Sequence, residues 1–152
     1  MKEIITKKGI VEEGKVLVPC EYDDIEPVSI KGKISDVYFK TRRNDVVGII
    51  KFTSEDNYDS CEGFYDITYI GDDCIIASDY DERFGEKFML MSKDLVELTN
   101  YKYDSIEKLN DNVFKVKKDG YYGIINGKGQ IVIDCSFKKV EYDNENSSYH
   151  IE

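Results

Sequence analysis

The feature that most constrains the fold of this chain is a degenerate internal repeat. Its clearest copy covers residues 103–140, where three short apolar runs follow a Tyr-Asp-Ser-Ile start and are separated by Asp-Gly and by Asn-Gly-Lys-Gly. The order of glycine, aliphatic pair, polar turn, aliphatic run and Tyr-Asp-x-Ile also occurs at 9–25, and weaker copies lie at 48–67 and 88–106. Self-similarity of this kind is typical of stacked repeat units.

The spacing of the copies predicts the fold class. The aromatic residues that mark them, Tyr22, Tyr65, Tyr103 and Phe137, are 43, 38 and 34 residues apart. A period near 40 with several short strands per copy is typical of β-repeat arrays, and no stretch has a helical apolar period with caps. We therefore predict an all-β fold with little or no helix, built as a tandem array of about three to four β-hairpin units. The array is either solenoid-like or a curved or closed antiparallel sheet.

One domain accounts for the whole chain. Its 152 residues are enough to bury about 68 to 70% of the surface of the unfolded chain. We expect a single repeat domain over 1–152, with units at approximately 1–27, 28–70, 71–108 and 109–152.

Turn and breaker residues give local predictions within these units. We expect a short β-like start at 1–6, a hairpin turn with Gly14 in the left-handed conformation, and a strand end at Pro19, which has no N–H to donate. Residues 28–33 are predicted to form a loop. Residues 53–63 are polar and stand where the second unit would have its last strand, so we predict that they form the longest exposed loop. Residues 88–98 are expected to form the hairpin of the third unit.

Charge is unevenly distributed along the chain. The formal net charge is −10, and residues 53–104 hold 14 acidic and 4 basic residues, whereas the remaining residues hold 17 of each sign. This balance argues against nucleic acid and anionic membranes as partners, because both bind basic surfaces. The acidic middle third is either a solvated face that keeps a β protein soluble or a docking surface for a basic partner.

The sequence also bears on compartment and cysteine chemistry. The first nine residues have no apolar core of a signal peptide, and no run approaches the length of a membrane span. Cys20, Cys61, Cys74 and Cys135 show no C-x-x-C spacing, and we expect them to be reduced in a bacterial-type cytoplasmic protein. Because Cys20 and Cys135 occupy the same slot in two copies, we predict that both thiols are packed.

The copy at 103–140 resembles the WG-repeat proteins of bacteria. Their unit runs roughly Tyr-Asp-x-Ile, a Phe-x-Val strand, Gly-x-Trp-Gly-Leu-Ile-Asp, a glycine turn and Val-Ile-Pro-x-x-Tyr-Asp. Four stretches of this copy fall on that pattern: 103–106, 114–116, 120–125 and 132–133. Residues 18–25 match its last segment closely.

This chain departs from the family pattern at the tryptophan. It contains no Trp, and four other residues stand at that position: Lys8, Val47, Lys87 and Tyr122. Gly48 and Gly123 keep the glycine that follows, whereas Phe88 replaces it in the third unit. The resemblance implies an all-β array of stacked hairpins that serves as a non-catalytic interaction scaffold, and it implies no reaction, cofactor or catalytic residue.

The residues themselves predict no catalytic, cofactor or metal site. Nucleophilic catalysis needs a base beside the nucleophile, and His150 is the one histidine. Residues 79–85 resemble the start of a calcium loop, but Arg83 and Phe84 stand where an EF-hand needs an oxygen ligand and a glycine. Residues 126–129 lead into a strand, which indicates a turn rather than a phosphate-binding loop.

Tyr-Asp pairs are frequent in this chain. Six of the twelve tyrosines precede an aspartate: Tyr22, Tyr58, Tyr65, Tyr80, Tyr103 and Tyr142. Such a pair suits a strand edge, where the ring packs inward and the carboxylate caps a turn. Tyr22, Tyr65 and Tyr103 recur in register and are predicted to lie in the core. Tyr58 and Tyr80 are predicted to lie in acidic loops and to contact a partner.

These observations predict a non-enzymatic protein-binding module that docks a basic protein through its acidic centre. A specific form is an immunity-type inhibitor that neutralises a basic toxin or nuclease. The predicted contacts are acidic residues and tyrosines of the middle third: Glu55, Asp56, Tyr58, Asp59, Asp72, Asp73, Asp79, Tyr80, Asp81 and Glu82. Two alternatives stay open: a recognition module that binds a glycan or is stabilised by calcium, and an enzyme that uses Asp or Cys chemistry.

Overall fold

A computed structural model describes residues 7–71 and 73–152. Within these ranges the chain forms fifteen β-strands and no helix, so the predicted all-β class is confirmed. The described part of the chain accordingly offers no helix with the length and apolar character needed to span a membrane. The strand start predicted at 1–6 lies outside the described residues.

The chain divides into two compact units, Met1–Ile67 and Thr68–Glu152, called here the N-terminal unit and the C-terminal unit. In the N-terminal unit, β1 pairs with β2, and β3 to β6 form a four-stranded antiparallel meander. The strands are β1 (Lys8–Glu12), β2 (Lys15–Tyr22), β3 (Asp24–Ile30), β4 (Lys33–Arg43), β5 (Val46–Phe52) and β6 (Tyr58–Phe64). The predicted bounds of four repeat units stay a prediction.

The C-terminal unit contains the other sheets. β7 (Asp66–Ile70), which starts at the junction, pairs with β8 (Cys74–Asp81), and β8 pairs with β9 (Gly85–Ser92). The four-stranded sheet of this unit contains β10 (Ser105–Asn110), β11 (Val113–Lys118), β12 (Tyr121–Ile125) and β13 (Ile131–Phe137). A final hairpin pairs β14 (Val140–Asp143) with β15 (Ser148–Ile151).

Two-residue turns set the register of the hairpins. Positive φ occurs at both central residues of the β4–β5 turn, Asn44 at 53° and Asp45 at 63°, and of the β11–β12 turn, Asp119 at 54° and Gly120 at 87°. This is the type I′ geometry that matches the right-handed twist of the strands. Gly14 has a φ of 78°, which confirms the left-handed conformation predicted there.

Each unit has its own core. In the N-terminal unit Val18, Tyr22 and Ile50 form a buried cluster. In the C-terminal unit, neighbouring residues of β11 face opposite sides: Phe114 belongs to one buried cluster and Val113 to another. The β10–β13 sheet therefore packs apolar side chains on both of its faces.

Two glycines show that the first and last copies share one geometry. A Cβ atom on Gly9 would lie 2.8 Å from the Cys20 nitrogen and collide with the carbonyl of Val18. A Cβ on Gly123 would lie 2.8 Å from the Cys135 nitrogen and collide with the carbonyl of Ile133. Both glycines stand opposite a bulge in the return strand. The equivalence predicted for these two copies is therefore confirmed at the glycine and the bulge.

Two strand boundaries differ from the prediction. β2 continues through Pro19 to Tyr22 instead of ending at Pro19. Pro19 lies in the bulge between the Lys8–Tyr22 and Ile10–Val18 pairs, where the ladder requires no N–H from it. Residues 28–33 are not a loop, because only Lys31 and Gly32 separate β3 from β4.

The predictions for residues 53–63 and 88–98 have different outcomes. The long loop at 53–63 is wrong, because β6 begins at Tyr58 after a short turn and pairs with β5. The segment after β9 does fold back along it: Ser92 N donates to Val96 O at 2.8 Å, Leu98 N donates to Leu90 O at 2.9 Å, and Met91 bridges Glu97. The returning arm is too short to form a strand, and β9 pairs along its length with β8.

Two side-chain predictions need correction. Tyr22 and Tyr103 are buried as predicted, but Tyr65 is 53% exposed, and its neighbour Phe64 fills the core position at 5%. Cys135 is half-buried and Cys20 is exposed, so the prediction that both thiols are packed fails for Cys20. β2 is in a two-stranded sheet, whereas β13 joins a four-stranded one.

Candidate partner-binding surfaces

The residues predicted to contact a partner fall in both units. Glu55, Asp56, Tyr58 and Asp59 belong to the N-terminal unit, and the described remainder, from Asp73 to Glu82, belongs to the C-terminal unit. Asp72 lies outside the described residues.

Glu55 and Asp56 lie in the turn between β5 and β6. The turn closes through main-chain and side-chain bonds: Thr53 N donates to Asn57 O at 2.9 Å, and Asn57 N donates to Ser54 Oγ at 3.2 Å. Asp56 accepts a bond from Lys15 Nζ at 2.9 Å, and both side chains are mostly exposed. Lys15 therefore partly neutralises the charge of Asp56.

Tyr58 and Asp59 lie on β6 rather than in a loop. Tyr58 is half-buried, and its ring centroid lies 5.6 Å from that of Phe52. It packs against the Val18–Tyr22–Ile50 cluster, so the loop position predicted for Tyr58 is wrong. Asp59 is exposed, across the ladder from Lys51. Direct contact of these two residues with a partner stays a prediction.

A groove of about 640 Å³ runs beside the β5–β6 turn. Its floor is apolar and comes from four strands: Ile10, Val11, Leu17, Val37, Phe39 and Phe52. Three carboxylate side chains, Glu12, Asp36 and Glu55, stand among its lining residues. Of these lining residues only Glu55 was predicted to contact a partner, because the floor is formed by strands that lie far apart along the chain.

Asp73 precedes β8 and is held within the C-terminal unit. Its Oδ1 atom lies 3.1 Å from Lys108 Nζ, which also contacts Asp111 and the Tyr69 hydroxyl. Burial lowers the pKa of Lys108, but its bonds to Tyr69, Asp111 and Asp73 outweigh burial, and the net direction is upward. Lys108 is therefore a charged anchor that neutralises Asp73.

Asp79, Tyr80, Asp81 and Glu82 surround the tip of the β8–β9 hairpin. Asp79 and Asp81 are exposed residues of β8 separated by one position, so their side chains point to the same face. Asp81 Oδ1 accepts a bond from Arg83 N at 2.7 Å, which shapes the turn. Tyr80 lies on β8, so the loop position predicted for it is wrong. Tyr80 and Phe84 are exposed at 53% and 68%.

The hairpin tip formed by residues 79–85 combines more features of a binding surface than the other predicted contacts do. It joins three carboxylates and two large exposed rings within one hairpin. Asp79, Asp81 and Phe84 also line a cleft of about 360 Å³ together with Tyr101 and neighbouring lysines. Carboxylates beside aromatic rings suit contact with lysine or arginine side chains.

The aspartates of the in-register Tyr-Asp pairs have a structural role. Asp104 forms an ion pair with Lys87 and accepts a bond from the backbone N–H of Asp119 at 2.9 Å. The bond from Lys87 lowers the pKa of Asp104, burial opposes that shift, and the Asp119 bond adds to the lowering. Asp23 makes the equivalent bond with Asn44 N at 2.8 Å. The predicted turn-capping role is confirmed at both sites.

Cys74 directly follows Asp73 and is buried, and the charges of Lys108 and Asp73 act on its thiol. Burial raises the pKa of the Cys74 thiol to about 11, and His150 is exposed on β15 with Nε2 3.3 Å from Glu152 Oε1. In residues 7–71 and 73–152, no group of three or more His, Cys, Asp or Glu side chains is arranged to hold a metal ion.

Comparison with known families supports the repeat interpretation. The family model of the WG containing repeat matches three stretches, residues 12–34, 97–122 and 122–147. The matched stretches include the best copy and most of the first copy, and they leave residues 35–96 outside. No curated protein and no solved structure is significantly similar to the chain.

Proposed function

We propose that this chain, a WG-repeat β protein, is a non-enzymatic protein-binding module that docks a basic partner through its acidic surfaces. The observation that carries the proposal is the β8–β9 tip, where Asp79, Asp81 and Glu82 stand beside the exposed rings of Tyr80 and Phe84. Clustered carboxylates steer a cationic protein to the surface, and exposed aromatic rings supply contact area.

The tip is better suited to this role than the other predicted residues. Asp56 and Asp73 already contact Lys15 and Lys108, so a partner would have to compete with those lysines. Glu82 has no ion-pair or hydrogen-bond partner among the residues that the structure describes. A basic side chain of the partner should therefore bind more favourably at the tip than at Asp56 or Asp73.

A cytoplasmic immunity-type inhibitor is the specific form of this function that we propose. Toxic nucleases carry cationic surfaces because they bind a polyanion. A small acidic protein can block such a surface without chemistry of its own, and electrostatic attraction makes the capture fast. Repeat scaffolds suit this task, because loops and hairpin tips can change while the stacked strands stay the same.

Capture of the partner and neutralisation of the tip test this proposal. The chain is used as bait at low salt, the retained protein is identified, and its affinity is measured with purified components. The variant Asp79→Asn/Asp81→Asn/Glu82→Gln should weaken binding about tenfold or more. The control Glu107→Gln/Asp134→Asn/Glu145→Gln removes the same charge from other exposed positions of the C-terminal unit, and it should change affinity less than about twofold. Equal effects of the two variants would refute a specific acidic surface.

A further inference from the structure

The groove of the N-terminal unit has an apolar floor that the described residues of this unit leave partly exposed. Val11 is 56% exposed, and Phe39 and Phe52 are half-buried with ring centroids 5.8 Å apart in an edge-to-face arrangement. A second depression of about 390 Å³ shares Ile10, Val11 and Phe39 with the groove. The two are therefore continuous through these shared apolar residues, and this extent favours a segment of polypeptide over a small molecule.

The carboxylates that line the groove favour a positively charged occupant. Glu12, Asp36 and Glu55 are exposed, and none of the three has an ion-pair partner among the described residues. β1 forms one wall, and within the described residues it pairs with β2 alone. A strand with an open edge can accept an extended segment by main-chain hydrogen bonding, while pockets receive alternate side chains.

We infer that this groove binds an extended segment of the basic partner in which apolar and basic side chains alternate. The apolar side chains occupy the floor at Val11, Phe39 and Phe52, and the basic side chains pair with Glu12, Asp36 and Glu55. This inference rests on the proposed function, since it assigns to the partner a second contact besides the one at the β8–β9 tip. A second copy of this chain is a poorer occupant, because each copy carries a net charge of −10.

The probe for this inference is a synthetic fluorescent peptide of alternating lysine and valine, about eight residues long, since a strand of that length spans such a groove. Binding to the full chain is followed by fluorescence anisotropy. One control peptide replaces lysine by glutamate, and another replaces valine by serine. We expect the lysine–valine peptide to bind at least about tenfold more tightly than either control. It alone offers both apolar side chains for the floor and basic side chains for the lining carboxylates.

Two substitutions locate the peptide in the groove. Val11→Asp should weaken its binding about tenfold, and Glu55→Lys should weaken it several-fold. The matched control is Val16→Asp, because Val16 is the cross-strand neighbour of Val11, is 57% exposed and does not line the groove. Val16→Asp should leave the affinity within about twofold of the unchanged protein. Both valines are exposed, so neither change removes a core contact.

The outcomes separate this inference from the proposed function. Absence of binding, equal loss in Val11→Asp and Val16→Asp, or equal affinity for the serine control would overturn the groove as the docking site. A photo-crosslinker at position 11 that reacts only within its own chain in the presence of peptide would overturn it as well. If the native partner tolerates Val11→Asp and Glu55→Lys but loses affinity with the tip variant, the proposed function stands and the groove inference fails.

Discussion

The carboxylate of Asp104 accepts a hydrogen bond from the backbone N–H of Asp119 at 2.9 Å, and this bond fixes the β11–β12 turn to the start of β10. Asp23 holds the β4–β5 turn through Asn44 in the same way, at 2.8 Å. The Tyr-Asp pair of the repeat is therefore a folding device. At Tyr22 and Tyr103 the ring enters the core, and the carboxylate of the following aspartate binds the turn of a neighbouring hairpin.

Replacing Asp104 should destabilise the fold in a pH-dependent way. Asp104→Ala removes the Lys87 ion pair and the turn bond, and we expect a loss of about 1 to 2 kcal/mol in the free energy of unfolding at pH 7. The folded-state pKa of Asp104 is lowered, so its ionised form stabilises the protein above the unfolded pKa of about 3.9. That contribution disappears as pH falls through the folded pKa. Urea unfolding at neutral and acidic pH, with exposed Asp134→Ala as control, checks this, and a pH-independent difference would contradict it.

Gly123 should tolerate no side chain, for a steric reason alone. Its φ is not in the left-handed region, yet an added Cβ would collide with the backbone of β13. We expect Gly123→Ala to cost about 2 to 3 kcal/mol. Gly14→Ala is the comparison, because Gly14 has positive φ and open space around it, and it should cost only about 1 kcal/mol. Chemical denaturation of both variants measures the difference, and equal losses would count against the shared bulge geometry.

Tyr122 stands at the tryptophan position of the repeat, and its surroundings suit a larger ring. Lys115 Nζ and Lys117 Nζ lie 4.7 Å and 5.4 Å from the centroid of its half-buried ring. Tryptophan is the strongest cation–π acceptor, so Tyr122→Trp should retain or raise the melting temperature, whereas Tyr122→Leu should lower the stability by about 1 kcal/mol. Thermal unfolding tests this, with Tyr121→Trp as an exposed control. A marked loss in Tyr122→Trp would show that the position no longer accepts the family residue.

The cysteines should react in the order of their exposure. Cys20 is exposed, whereas Cys74 is buried and has a pKa raised to about 11. At pH 8 a thiol with that pKa is ionised in about one molecule in a thousand, and only the thiolate reacts. Mass spectrometry after brief alkylation of the native protein should find Cys20 modified first and Cys74 last. Early modification of Cys74 would contradict the packing of β8. Retained partner binding after alkylation would argue against thiol chemistry in the function.

Repeat spacing and turn chemistry predicted the fold class, most hairpins and the equivalence of the first and last copies. The prediction that Tyr65 lies in the core was wrong, although a spacing in the sequence indicated the correct residue. Tyr22 and Tyr103 precede by three positions an isoleucine that packs against the core, and before Ile67 that position belongs to Phe64. The Tyr-Asp pair therefore pointed to Tyr65, whereas the three-residue spacing to Ile67 correctly indicates Phe64 as the core residue.

β6 and the groove show what local sequence does not contain. Residues 58–64 are mostly polar, yet they form a strand because β5 offers its backbone groups along the whole length. Such pairing is a tertiary effect that overrides local propensity. The groove floor depends on four strands that meet only after folding, so no local pattern marked Val11 or Phe39 as part of a surface.

The dependence of association on salt tests the central claim most directly. The association rate constant of the captured partner is measured from about 50 to about 500 mM NaCl, for the unchanged chain and for the variant neutralised at Asp79, Asp81 and Glu82. We predict that the rate for the unchanged chain falls steeply with salt and that the variant starts lower with a shallower slope, while both converge at high salt. Equal rates and equal slopes for the two proteins would contradict docking through the acidic tip.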